Sequence, residues 1–283
     1  MALATAVILS YNRQDALRRQ LLYYADKPIH LIFADGSDDD WGTGQTGSIG
    51  EMTWEYFRIS GANSYIERKV RAVYKVKTEF MFFLDDEDCI LWTGVERAID
   101  FLTENSDHSC AGGRADSMQL LHRRLGIRGW SRFRKPFELL ESTGIERFEK
   151  MCVAGRTANL FYQVLRTAIA RAYVGALDPG MTFSNRYYSS VEVTWSGFLS
   201  FCGKWEMGTY PFWIRYSAAT INSLPPESRD HVSSRKEAME MSVLIADALN
   251  LYRRDCGKLD AEIDQLLTAK IIECNYGKKV IHV

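Results

Sequence analysis

The segment Phe82-Phe83-Leu84-Asp85-Asp86-Glu87-Asp88 is the most informative part of this chain, because four consecutive carboxylates follow a run of large apolar residues. The continuous apolar run from Phe80 to Leu84 is typical of a strand that is buried on both faces. Neighbouring carboxylates at the end of such a strand repel one another unless a cation offsets their charge. Hard divalent ions such as Mn²⁺ and Mg²⁺ bind carboxylate and phosphate oxygens together, so the segment predicts a metal-assisted phosphate site. The alternative is a solvated turn, or the cap of a helix over Leu91 to Ile99.

Two earlier apolar runs also end in polar residues. Thr5 to Leu9 stops at Ser10-Tyr11-Asn12-Arg13, and Ile29 to Ala34 stops at Asp35-Gly36-Ser37. Apolar residues at helical spacing follow the first run and precede the acidic one, namely Leu17, Leu21 and Tyr24, and then Ile66, Val70, Val73 and Tyr74. This alternation predicts parallel strands whose polar ends meet at one edge of the sheet, where open α/β sheets bind ligands.

Each of the two earlier polar ends has a functional and a structural interpretation. The first offers hydroxyl, ring, amide and guanidinium groups, which suit a base or a ribose, but Ser10 or Asn12 would equally suit the cap of the following helix. Asp35 would accept a hydrogen bond from a pyrimidine imide or a ribose hydroxyl, or would form an Asx turn.

The second half of the chain has a weaker pattern. Helical or mixed segments are expected from Phe148 to Tyr173 and from Val191 to Phe201. Two amphipathic helices are expected near the C-terminus, around Met241 to Tyr252 and around Ile263 to Leu267, after the linker-like Pro225-Pro226.

Bulk composition excludes several classes of protein. The 283 residues are 46% hydrophobic with a formal charge of -1, so the chain is globular and is not a globally basic nucleic-acid binder. The six cysteines form no CxxC pair, and the five histidines are dispersed, so a zinc site is not expected. The chain enters directly into an apolar run with no basic leader, and no stretch approaches the ~20 apolar residues of a membrane span. We therefore expect a cytoplasmic protein without a transmembrane segment, either free or peripheral at a membrane.

The three motifs resemble those of GT-A glycosyltransferases, particularly the large inverting family-two group. In order, they are Val7-Ile8-Leu9-Ser10-Tyr11-Asn12-Arg13, Phe33-Ala34-Asp35-Gly36-Ser37 and Phe83-Leu84-Asp85-Asp86-Glu87-Asp88. The resemblance implies an α/β fold with a mostly parallel, Rossmann-like sheet flanked by helices and a helical C-terminal extension. It implies a GT-A domain over 1–222, with 1–113 binding the nucleotide sugar and 114–222 the acceptor, and an extension over 223–283.

The resemblance also implies roles for individual residues. In that family the first loop and the aspartate after the second strand hold the nucleoside, and a DxD motif binds metal and diphosphate. The best match to DxD is Asp86-Glu87-Asp88, with Asp85-Asp86-Glu87 as an alternative register. The expected metal ligands for Mn²⁺ or Mg²⁺ are Asp86 and Asp88. The residues expected to bind the nucleotide sugar are Ser10, Tyr11, Asn12, Arg13, Asp35, Asp86, Glu87 and, on the helix before the third strand, Arg68, with Lys69 as its alternative.

A weaker similarity to bacterial glycosyltransferase domains continues through Asn159-Leu160-Phe161-Tyr162 and from Glu192 to Lys204. Inverting transfer needs a carboxylate that takes a proton from the acceptor hydroxyl, and Glu192 is the candidate base. Family members often carry a Glu-Asp pair at this point, whereas here Val193 follows. Asp178 and Glu206 are the rival candidates.

A basic run with interleaved aromatics suits a phosphate-bearing acceptor or a cover over the donor diphosphate, or forms a solvated loop. It comprises His122, Arg123, Arg124, Arg128, Trp130, Arg132, Phe133, Arg134 and Lys135.

The expected function is metal-dependent transfer from a nucleotide sugar, a UDP-sugar by preference, to a hydroxyl acceptor with inversion. A glycan or glycolipid is favoured as acceptor over nucleic acid. The alternatives are a sugar-phosphate nucleotidyltransferase, although no glycine-rich loop follows the first strand, and a non-catalytic nucleotide-sugar-binding protein.

Overall fold

The structure is a computed structural model. It describes residues 2–42, 44–61, 65–120, 127–132, 137–154, 161–177, 188–217 and 235–252. Within those ranges, side chains are described except at 117–120, 127–132, 152–154, 188–193, 216–217 and 235–242.

The described residues form a ten-stranded sheet flanked by helices. In chain order the elements are β1 (Ala4–Ser10), α1 (Gln14–Tyr24), β2 (Ile29–Asp35), β3 (Thr46–Ile49), β4 (Met52–Arg58), α2 (Tyr65–Lys75), β5 (Phe80–Asp85), β6 (Cys89–Ile90), α3 (Trp92–Glu104), β7 (His108–Leu120), β8 (Ile127–Arg132), α4 (Gly144–Ala154), β9 (Val164–Arg166), α5 (Thr167–Ala176), α6 (Tyr188–Cys202), β10 (Lys204–Ser217) and α7 (Arg235–Tyr252).

The first half of the sheet has the predicted parallel arrangement. Strand β1 lies between β2 and β5 and is parallel to both. The register places Ser10 opposite Asp35, and Leu9 opposite Asp85, so the three polar strand ends meet at one edge. Strand β4 adds a further parallel strand beside β2, with β3 antiparallel at its outer side. The expected convergence of the three motifs is confirmed.

The second half extends the same sheet through β9, which is antiparallel to both β5 and β7. The long strand β10 is parallel to β7, and its other neighbour is the short strand β6. The β10–β6 register places Trp213 opposite Ile90, directly after the acidic run. A residue far along the chain thereby reaches the edge where the motifs meet.

The core explains why these segments form strands. Every residue of β1 is buried, and Phe80 to Leu84 of β5 are at most 5% exposed, because the sheet is covered by helices on both faces. The fully buried Ile245 of α7 packs close to Gly197 of α6, where an added Cβ would lie 2.9 Å from its side chain. The first predicted C-terminal helix is therefore present and packs against the domain, whereas the second lies outside the described residues.

No helix in the described part of the chain is both long enough and apolar enough to span a bilayer.

Candidate functional site

The loop after β1 is joined to the loop after β2. Asn12 adopts a left-handed backbone conformation with φ of 55°, which asparagine tolerates better than most residues. Its backbone N–H donates to Ser37 Oγ at 2.6 Å, and its Oδ1 accepts from the Asp38 N–H at 3.2 Å. The first motif is therefore held against the second by hydrogen bonds in both directions.

Asp35, the last residue of β2, is fully buried. Its Oδ1 accepts from the Ser37 N–H at 3.1 Å and from the Ser37 hydroxyl at 2.6 Å, while its Oδ2 accepts from the Tyr56 hydroxyl at 2.7 Å. The Asx-turn interpretation is thus confirmed. In this conformation Asp35 fixes Ser37 in the loop after β2, and its contact with a nucleoside stays a prediction.

Arg68 of α2 connects the C-terminal ends of β1 and β2. Its guanidinium Nη1 donates to the carbonyl oxygens of Ser10 and Ala34, the latter at 3.2 Å, and the residue is 3% exposed. A Cβ at Gly36 would lie 2.6 Å from Arg68 Cζ, so only glycine leaves room for this side chain. Lys69 is fully buried, with its Nζ 4.5 to 4.9 Å from the ring centres of Phe83, Phe161 and Trp195. Both cations are directed into the interior, and direct contact of Arg68 with ribose or diphosphate stays a prediction.

The first carboxylates of the acidic run accept hydrogen bonds from two other segments, the end of β1 with the loop after it and the segment before β9. Asp85 accepts a hydrogen bond from the Tyr162 hydroxyl. Asp86 accepts from Ser10 Oγ at 2.8 Å through Oδ2 and from Arg13 Nη1 at 3.0 Å through Oδ1. The same nitrogen of Arg13 lies 2.7 Å from Glu87 Oε2. Arg13 therefore supplies the cation that the sequence predicts must offset part of this charge.

Asp88 has one satisfied and one unsatisfied oxygen. Its Oδ2 accepts from the indole Nε1 of Trp213 at 2.7 Å, whereas Oδ1 is buried with no hydrogen-bond partner. The turn is fixed by Gln20, whose Nε2 donates to the carbonyl oxygens of Asp86 at 3.1 Å and Asp88 at 2.6 Å. A buried, unpaired carboxylate oxygen is costly, so Oδ1 marks a position where a donor or a cation would be stabilising.

The pKa shifts of the acidic run also indicate that a further cation would be stabilising there. Burial raises the pKa of Asp85, Asp86 and Glu87, and the charge of Asp86 is a further cause for Asp85 and Glu87. For Asp88, burial followed by the charge of Asp85 raises the pKa to about 8. Burial alone would lower the pKa of Arg13, but the charges of Asp86 and Glu87 raise it overall. The site therefore carries more negative charge than Arg13 neutralises.

A divalent cation fits this donor set only if waters or phosphate oxygens complete its coordination. Within the described ranges, no three His, Cys, Asp or Glu side chains are grouped closely enough to hold a metal ion by themselves. Mg²⁺-like ions are often bound by one or two carboxylates together with phosphates and waters, and Asp88 Oδ1 is a suitable first ligand. Asp86 would become a second ligand after releasing Arg13.

Solved structures resemble this chain, whereas curated sequences do not. No protein-family model matches the sequence, and no curated protein sequence matches it significantly. The crystal structure of S. aureus TarS superposes with a TM-score of 0.55 at 12% identity, over 98% of this chain and 44% of that one. TarS 1–349 in complex with UDP gives 0.55 at 12% identity, over 100% and 75% of the two chains. The complex with UDP-GlcNAc gives 0.52 at 13%, over 98% and 73%.

The chain has the GT-A fold. The fold expected from the three motifs is thereby confirmed, although identity this low bears on the fold alone. The chain also spans less than half of the longer TarS chain that it matches.

Two helix-cap interpretations of the sequence are wrong. Helix α3 has Leu91 as its N-cap, with no side-chain cap, so the acidic run does not cap it. Helix α1 has Arg13 as its N-cap, again with no side-chain cap, so neither Ser10 nor Asn12 caps it. Their polar groups are instead used in the contacts between the strand ends.

The remaining predicted site residues fall in three places. The Tyr11 side chain is at the surface, 39% exposed, beside the GT-A strand ends. Glu192 belongs to α6, but its side chain lies outside the described residues, and so does Asp178. Glu206 is half-buried on β10. The basic run also lies outside the described side chains, although the backbone of β8 within it pairs with β7.

Three residues that contact the acidic run were missed by sequence reasoning, namely Gln20, Tyr162 and Trp213. The rings of Tyr162 and Trp213 stack with their centres 4.0 Å apart and their planes at 22°, and each donates to a different aspartate. Tyr162 lies in a segment of weak family resemblance, which was a usable signal. Trp213 follows the acidic run by 125 residues, and only the pairing of β10 with β6 reveals the contact.

Proposed function

We propose that this chain is a glycosyltransferase that moves a sugar from a UDP-sugar to a hydroxyl acceptor with the help of Mn²⁺ or Mg²⁺. The observation that carries the proposal is the buried, unpartnered Oδ1 of Asp88 among carboxylates of raised pKa, at the joined ends of three parallel strands. The solved complexes of TarS with UDP and UDP-GlcNAc support the choice of donor.

The donor would lie across the strand ends. Tyr11, with its partly exposed ring, is suited to stacking against a base, and the Asp35–Ser37–Asn12 hydrogen bonds hold that loop in position. Ser10 orients Asp86 through its hydroxyl, and Gln20 fixes the turn that presents Asp88. A divalent cation held by Asp86 and Asp88 would supply Lewis-acid stabilisation of the departing diphosphate.

The acceptor side of the reaction needs a general base. An inverting transfer requires a carboxylate that takes the proton of the acceptor hydroxyl while that oxygen attacks the anomeric carbon and the nucleotide leaves. Glu192 is our candidate, with Asp178 and Glu206 as rivals. A glycan or glycolipid hydroxyl is the proposed acceptor, and the basic run from His122 to Lys135 would suit a phosphate-bearing one.

We further propose a cytoplasmic location. Cys89, Cys110 and Cys202 are free thiols, which is typical of a reducing compartment.

The test is release of UDP from a panel of UDP-sugars, with Mn²⁺ and with EDTA. Asp88→Asn should lower turnover about 100-fold or more, which is typical for loss of a group that stabilises charge in the transition state. Asp15→Asn is the matched control, because this side chain is 88% exposed and its carboxylate pairs with Arg18 rather than with a residue of the acidic run. Release of pyrophosphate would favour the nucleotidyltransferase alternative, and donor binding without turnover would favour the non-catalytic one.

A further inference from the structure

A single nitrogen of Arg13 bridges two carboxylates of the acidic run. Its Nη1 lies 3.0 Å from Asp86 Oδ1 and 2.7 Å from Glu87 Oε2. A hard divalent ion also favours a position between two carboxylate oxygens. Arg13 and a metal ion would therefore need the same oxygens.

The surroundings explain why Arg13 is at this position and why it is able to leave. The left-handed conformation of Asn12 turns the chain just before Arg13, which then begins α1 as its N-cap. The Arg13 side chain is 39% exposed, whereas that of Asp86 is 5% exposed. The guanidinium can therefore swing outward without unpacking the core, but Asp86 cannot follow it.

Loss of Arg13 without replacement would leave a buried charge uncompensated. Asp86 would keep only neutral donors, among them the Ser10 hydroxyl and the Tyr11 backbone N–H. Breaking a buried ion pair from one side is strongly unfavourable, so another cation must take the place of Arg13 when it moves. Once outward, the planar guanidinium is suited to bind phosphate oxygens.

We propose that Arg13 is an internal counter-cation that occupies Asp86 Oδ1 in the nucleotide-free protein, so that Asp86 can hold a divalent ion together with Asp88 only after Arg13 is released. Exclusion of the metal by Arg13 does not depend on the transferase activity. The second part, that the donor diphosphate draws Arg13 away and so couples metal and nucleotide binding, rests on the proposed function.

The test is a titration of the nucleotide-free full chain with Mn²⁺, in which free Mn²⁺ is measured by electron paramagnetic resonance. Arg13→Gln should bind Mn²⁺ about tenfold more tightly than the wild type, within the usual range of coupling between two competing sites. Arg13→Lys keeps a cation at the carboxylates and should bind Mn²⁺ as weakly as the wild type.

Arg215→Gln is the matched control for a general change in charge. The charge of Arg215 acts on Asp85, Glu87 and Asp88, and the residue is exposed on β10. If Arg13 excludes the metal by occupancy, Arg215→Gln should tighten Mn²⁺ binding by clearly less than Arg13→Gln does.

The proposal is overturned if Arg13→Gln binds Mn²⁺ no better than the wild type, if Arg215→Gln has an equal effect, or if no variant binds Mn²⁺. Circular dichroism of each variant confirms that the comparison is made on folded protein. Repeating the titration with UDP should show a smaller enhancement by UDP in Arg13→Gln than in the wild type. A protein that shows the Arg13 effect without any sugar transfer would refute the proposed function and leave Arg13 exclusion standing.

Discussion

Replacing Asp88 with asparagine should stabilise the metal-free protein while abolishing its response to Mn²⁺. Asp88 is 3% exposed, and burial together with the charge of Asp85 raises its pKa from 3.8 to about 8. Folding in the absence of metal therefore keeps this carboxyl mostly protonated at neutral pH and makes its ionisation in the interior unfavourable as the pH approaches 8. Asparagine has nearly the same shape and removes that charge.

The magnitude follows from the pKa shift. Each unit of pKa difference between the folded and unfolded states corresponds to about 1.4 kcal/mol, so the full shift would be worth at most about 6 kcal/mol above pH 8. The asparagine amide introduces buried N–H donors, and a buried unsatisfied donor costs about 1–3 kcal/mol. Since about 6 kcal/mol is an upper bound, we expect a net gain of at most about 3–5 kcal/mol in the free energy of unfolding at pH 8.

The raised pKa of Asp88 determines the direction in which the free energy of unfolding changes with pH. A carboxyl whose pKa is raised on folding stabilises the protein fully below its unfolded pKa, near pH 4, and that contribution is lost as the pH rises through about 8. Wild-type protein should therefore lose stability over this range, and Asp88→Asn should lose less. The advantage of the variant should be smallest near pH 4 and largest near pH 8.

The assay is urea denaturation in EDTA at several pH values from 4 to 8, followed by circular dichroism. The exposed-site variant Asp15→Asn serves as control and should follow the wild type at every pH. Addition of Mn²⁺ with UDP should raise the midpoint of the wild type and leave Asp88→Asn unchanged, since a ligand stabilises only the state that binds it. A variant that is less stable than wild type at pH 8, or a difference that does not change with pH, would refute the reasoning.

Three further substitutions test the supports of the site. Gly36→Ala should lower the free energy of unfolding by about 1–3 kcal/mol, because its Cβ would lie 2.6 Å from Arg68 Cζ, and an unchanged urea midpoint would contradict the tight contact. Tyr56→Phe should lower it by about 1.5–3 kcal/mol by removing a donor to the buried Asp35, in the same assay, and a neutral effect would show that this bond is dispensable. Tyr162→Phe should be more destabilising at pH 8 than at pH 5, because the bond it removes stabilises the charged form of Asp85, and equal losses at both pH values would argue against that role.

Sequence reasoning located the first half of the fold because hydrophobic pattern and strand order agree there. The observed bounds of β1, β2 and β5 agree with the predicted bounds to within one residue at each end. Each strand ends in the polar motif that marks the site. Parallel strands with helical crossovers leave few alternative topologies, so the meeting of Ser10, Asp35 and Asp85 followed from the pattern.

The second half was less predictable because its important contacts are long-range. Strand β10 is fixed by pairing with β7 and β6, and nothing local in its sequence indicates that Trp213 donates to Asp88. The inward contacts of some charged residues were not indicated by the sequence either. The sequence suggests ligand contacts for Arg68, but the space left by Gly36 lets its side chain turn inward to backbone carbonyls.

The most direct test of the account is a crystal structure of the protein soaked with Mn²⁺ and UDP, with manganese located by its anomalous scattering. We predict an anomalous peak about 2.0–2.3 Å from Asp88 Oδ1 and from an oxygen of the UDP diphosphate, with Arg13 no longer bridging Asp86 and Glu87. UDP bound with no manganese at these aspartates, or manganese bound elsewhere with Asp88 Oδ1 still unpartnered, would contradict it.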